Sequence, residues 1–90
     1  MKKTREPEEG ELRGIALLEI LEKFFKRPES RLDAQRMLGN LSQDGQAYAR
    51  HLVVSGPSSN EDAAKACGFT VERLLAAADE LENAIRTLMG

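Results

Sequence analysis

Apolar positions along the chain recur at helical spacing almost from end to end. From Leu12 to Arg27, Leu17, Leu18, Ile20, Leu21, Phe24 and Phe25 fall on one arc of about 160° at 100° per residue. Glu19, Glu22, Lys23, Lys26 and Arg27 lie opposite, with Glu19–Lys23 and Glu22–Lys26 at the four-residue spacing that favours exposed pairs. Pro28 ends this helix, because its ring crowds the residue before it. Ser30, with Asp33 three residues on, reads as the cap of a short second helix to about Leu41 that buries Leu32, Met37, Leu38 and Leu41. Gly39 and Asn40 loosen its end, and Ser42 caps a third helix from Gln43 to about Val54, offering Ala47, Tyr48, Leu52 and Val53 inward.

Ser55-Gly56-Pro57-Ser58 is the clearest turn. Ser59 then caps a short helix to Cys67, Gly68 breaks it, Phe69 tucks inward, and Thr70 caps a last helix running nearly to residue 90. No stretch alternates with period two over a useful length, so the expected fold is all-α: about five helices in one bundle over residues 12–90. The charged stretch 1–11, holding Pro7 and Gly10, reads as a disordered leader.

Composition narrows the function. Ninety residues with 12 Leu, three Ile, three Val and three Phe support one modest core. A net charge of −2 excludes proteins that hold nucleic acid by bulk charge alone, and 4% aromatics leave few stacking platforms for single strands. One cysteine, Cys67, excludes an intrachain disulfide and any multi-thiolate metal site. The basic start Lys2-Lys3-Arg5 is followed by Glu6, Glu8 and Glu9 where a signal peptide needs apolar residues, so the expected compartment is cytoplasmic. There is no long apolar run, catalytic constellation, phosphate loop or metal spacing. The expectation is a non-enzyme with no cofactor, metal, membrane or small-molecule substrate. His51 reads as a partly exposed structural histidine, Tyr48 as a ring at the core edge with its hydroxyl in water, and Cys67 as an inert buried thiol.

Ala64, Gly68 four residues on and Leu74 six further reproduce a tight two-helix unit. The small side chain lets the helices cross closely, the glycine takes a left-handed turn, and the leucine wedges between them. On this spacing, with the preceding helix from Gln43 and the capped acidic turn Ser59-Glu61-Asp62, the stretch from Leu41 to Leu88 resembles the helix-turn-helix superfamily. It is most similar to the four-helix type of sigma-factor region 4 and LuxR-like regulators. The resemblance implies transcription regulation with major-groove reading by the start of the last helix: Thr70, Glu72, Arg73 and Ala76. Lys65 and the N-terminal cations Lys26, Arg27 and Arg31 are the candidates for phosphate contacts, and the Lys2-Lys3-Arg5 end could trail along the backbone.

Family recognition helices usually carry several cations. From Leu41 to Gly90, however, this chain has four basic residues and seven acidic ones, a charge of −3. Phosphate neutralisation supplies most non-specific affinity, so this balance opposes binding. A second reading is therefore a helical adaptor or anti-factor that keeps the scaffold and docks a protein. In the last helix, Val71, Leu74, Ala78, Leu81, Ile85 and Leu88 form a heptad seam. Leu81, Ile85 and Leu88 exceed what the two-helix unit needs, and call for either the first helix of the same chain or a second copy in a homodimer. The expected partners are thus duplex DNA or a protein, and a second copy.

Overall fold

The computed structural model describes residues 9–90 and is all-α. Its five helices are α1 (Glu9–Lys26), α2 (Pro28–Gly39), α3 (Gln43–Ser55), α4 (Asn60–Cys67) and α5 (Val71–Met89). The links between them are short: Arg27 alone, then three, four and three residues. Residues 1–8, with the expected leader and its Lys2-Lys3-Arg5 cluster, lie outside the described residues. Glu9, Gly10 and Glu11, assigned by sequence to that leader, instead form the first turn of α1. Two physical reasons support the earlier start. Acidic side chains favour the positive end of a helix, and Gly10 sits so close to α4 that an added Cβ would meet the Asn60 backbone nitrogen at 2.8 Å.

Pro28 both ends α1 and opens α2. It occupies the first turn of α2, where a missing N–H costs nothing, and Arg27 is the extended cap residue without a side-chain cap bond. The expected Ser30 cap is therefore displaced by the proline: the Ser30 and Arg31 amides already donate to the Arg27 carbonyl at 3.1 and 3.0 Å. Arg31 Nε also donates to the Phe25 carbonyl, closing the end of α1. The expected burial of Leu32 also fails, at 54% exposure; the inward residue of α2 is Ala34, with Met37 and Leu38 packed against the core. Val53, too, points outward at 60% exposure. Neither Glu19–Lys23 nor Glu22–Lys26 closes into an ion pair among the described residues.

The core joins Leu17 and Leu21 of α1, Leu41, Tyr48 and Leu52 around α3, Ala63 and Ala64 of α4, and Leu74, Ala77, Ala78, Leu81 and Ile85 of α5. Leu18, Ile20, Phe24 and Phe25 pack at its edge. Leu81 and Ile85 lie inside this single chain, so the heptad seam is answered within the monomer and is not an intermolecular surface. Leu88 is only half buried and lies beside Met37 and Leu41.

The Tyr48 ring is buried in the core, at 3% exposure for the residue, rather than lying at its edge. Burial pushes its phenol above the ordinary range, with the Arg13 charge opposing weakly. A folded-state pKa above the unfolded value favours the neutral phenol, so this contribution to stability is complete below pH about 10 and is lost as pH rises beyond it. Unfolding by urea should therefore become easier above that pH, and Tyr48→Phe should flatten the alkaline slope. An unchanged slope in the phenylalanine variant would contradict the assignment.

Candidate functional site

The two-helix unit is built from its caps inward. Ser59, buried and extended (φ −62°, ψ 160°), accepts a hydrogen bond from the Asp62 amide at 3.1 Å and starts α4. Gly68 ends it in the left-handed region (φ 74°, ψ 30°), where a Cβ would be strained. The Phe69 amide then reaches back to the Ala64 carbonyl at 2.8 Å and the Gly68 amide to that of Lys65 at 3.2 Å. These paired bonds satisfy the carbonyls at the end of α4. Thr70 Oγ1 accepts from the Arg73 amide at 3.2 Å and opens α5. Ala63, Ala64, Leu74 and Ala77 are buried on this unit, as the spacing requires.

Thr70, Glu72, Arg73 and Ala76 all lie exposed at the start of α5. Arg73, however, is already engaged. Its Nε and an Nη each donate to the Asp44 carboxylate of α3 at 2.7 Å, and the guanidinium lies 4.3 Å from the centre of the Phe69 ring. The Nε–Nη2 edge of the guanidinium is thus spent on a carboxylate whose charge offsets its own, while Nη1 and the second N–H of Nη2 lie outside the clamp. The Arg73 bonds hold Asp44 below the usual carboxylate range, and the same bonds raise Arg73 further. This clamp links residues 29 apart, so no local spacing announces it.

The acidic face of α5 is likewise partly committed. Glu80 accepts from the Ser42 amide at 2.8 Å and from its hydroxyl at 2.6 Å, pinning α5 to the start of α3. Arg13 of α1 donates to Asp79 and, at 2.9 Å, to Glu82. Partial burial works against the Arg13 charge, but the two carboxylates outweigh it and hold the guanidinium above its ordinary value. Arg86 also pairs with Glu82 at 2.6 Å. Glu61, Asp62 and Glu72 remain exposed, with no ion pair among the described residues, each in the first turn of a helix. There they suit the helix N-termini and repel phosphate.

Of the phosphate candidates, Lys26, Arg27 and Arg31 gather at the α1–α2 elbow, all exposed. Lys65 stands apart on α4. Gly10, at the other end of α1, touches the first residue of α4, and Lys26 lies about 24 Å further along α1 at 1.5 Å per residue.

Cys67 is half buried, with its Sγ 3.9 Å from the Ala47 carbonyl, and burial raises its thiol. His51 Nε2 lies 3.0 Å from the Ser58 hydroxyl, tying α3 to the link that follows it. Among the described residues no group of three or more His, Cys, Asp or Glu could hold a metal, and no helix is long and apolar enough to cross a membrane. No protein-family model, curated protein or solved structure matches the chain.

Proposed function

We propose that this chain is a regulatory module on a helix-turn-helix scaffold that acts as an adaptor or anti-factor, contacting a protein with a basic surface rather than reading duplex DNA. The observation that carries this reading is the Arg73–Asp44 clamp. The one cation at the start of α5 is paired with a carboxylate along its Nε–Nη2 edge and stacked on Phe69, while Glu61, Asp62 and Glu72 are exposed. DNA binding would bring an acidic surface against phosphates with the Arg73 charge already offset by Asp44 and Lys65 the sole cation of α4. A protein presenting positive charge meets the same surface with complementary potential, which speeds encounter and excludes acidic competitors.

Transcriptional control through direct DNA contact is the second reading. It is favoured by the left-handed Gly68 turn and by the exposure of Thr70, Glu72, Arg73 and Ala76 at the start of α5. Amide NMR titration with a mixed-sequence duplex at low salt separates the two. The expected result is no saturable shift at these four residues, for wild type and for Asp44→Asn, in which Arg73 is released. Saturable shifts that fade steeply with added salt would overturn the adaptor reading, and stronger binding by Asp44→Asn would identify Arg73 as the base reader.

A further inference from the structure

A groove of about 690 Å³ lies between α1 and α3, closed at one side by Leu38 and Gly39 of α2. Both helices contribute a stripe with the same i, i+3, i+4, i+7 spacing. On α1 it comprises Leu18, Leu21, Glu22 and Phe25; on α3, Gln46, Ala49, Arg50 and Val53. Each stripe thus carries a single charge at its i+4 position, acidic on α1 and basic on α3. Neither Glu22 nor Arg50 has an ion-pair partner among the described residues. Val53 and Val54, at 60% and 76% exposure, continue the groove's apolar lining into solvent.

We propose that this groove docks a second copy of the chain about a two-fold axis, with Glu22 of each copy meeting the partner's Arg50. The argument is one of charge complementarity. Closing a groove over an unpaired charge is costly, so an occupant must answer both Glu22 and Arg50. An acidic helix would suit Arg50 and repel Glu22, and a basic one the reverse. A two-fold copy answers both at once, because an isologous interface repeats every contact in mirrored roles. The valines supply the apolar part of the contact. This assembly leaves the start of α5 outside the interface and does not depend on the adaptor reading.

Sedimentation equilibrium of the full chain tests it. Wild type should dimerise without growing larger. Glu22→Arg and Arg50→Glu should each weaken dimerisation about tenfold or more, and the double exchange should recover most of that loss, since it restores both pairs. Val54→Asp should give a monomer with wild-type helical circular dichroism, as the residue supports no core contact in the single chain. A monomeric wild type, including one that binds only a foreign helix in this groove, would overturn the proposal. So would a dimer indifferent to Val54→Asp, or a double exchange no better than the single ones.

Discussion

Ile85→Glu is expected to unfold the chain rather than to release folded monomers. Ile85 is 1% exposed at the junction of the core. The substitution forfeits about 2–3 kcal/mol of apolar burial and forces a carboxylate to shed water, with a further cost of several kcal/mol. A 90-residue domain has a total stability of roughly 4–14 kcal/mol. The sum is thus comparable with everything that holds the fold together. Ile85→Val, which removes one methylene, should cost only about 0.5–1.5 kcal/mol. Circular dichroism and sedimentation on the same samples read the outcome, and a helical monomer derived from a wild-type dimer would refute the internal seam.

The second large effect is expected at Leu74, which is fully buried in α5. Leu74→Ala should lower unfolding free energy by about 2–5 kcal/mol, toward the upper end of that range. The reason lies in its surroundings: the buried residues it shares with α4 and the next turn of α5 are alanines, Ala63, Ala64, Ala77 and Ala78. Alanines have no side-chain length with which to fill the space left behind. Leu75→Ala, one residue along and exposed, should change stability by no more than about 0.5 kcal/mol. Urea unfolding curves compare the two directly. Equal losses would mean that Leu74 is not the wedge of the two-helix unit.

Local chemistry was the legible part of this sequence. Ser42, Ser59 and Thr70 each cap the helix they precede, and Gly68 adopts the left-handed turn, because caps and turns depend on a few adjacent residues. Where two local signals compete, the pattern and the structure differ. Ser30-x-x-Asp33 resembles a cap, yet Pro28 had already fixed the backbone two residues earlier. Burial on α2 departs from the pattern for another reason. Its inward residues are Ala34, Met37 and Leu38, continued by Leu41 in the following link, and Ala34 is too small to stand out beside the bulkier Leu32.

Candidate site residues were legible by position but not by state. The spacing from Gly68 located Thr70, Glu72, Arg73 and Ala76 on the exposed start of α5. Nothing in the spacing revealed that Asp44 would occupy Arg73, nor that Arg13 would reach Asp79 and Glu82, 66 and 69 residues away. Such pairs are set by how helices pack, which a periodicity reports only as a face. The α1–α3 groove has the same origin. Leu18, Leu21 and Phe25 stand out in the sequence as apolar positions, but which residues are left uncovered depends on α5 taking the inner place.

The brevity of the links has a kinetic consequence. With one to four residues between successive helices, each newly formed segment is already tethered close to its neighbour. Little chain entropy stands between the coil and the first tertiary encounters, and they are made between segments adjacent along the polymer. Topologies of this kind mature on a microsecond-to-millisecond scale. Once α5 has been synthesised, the chain would spend correspondingly little time with its leucines open to chaperones or to one another.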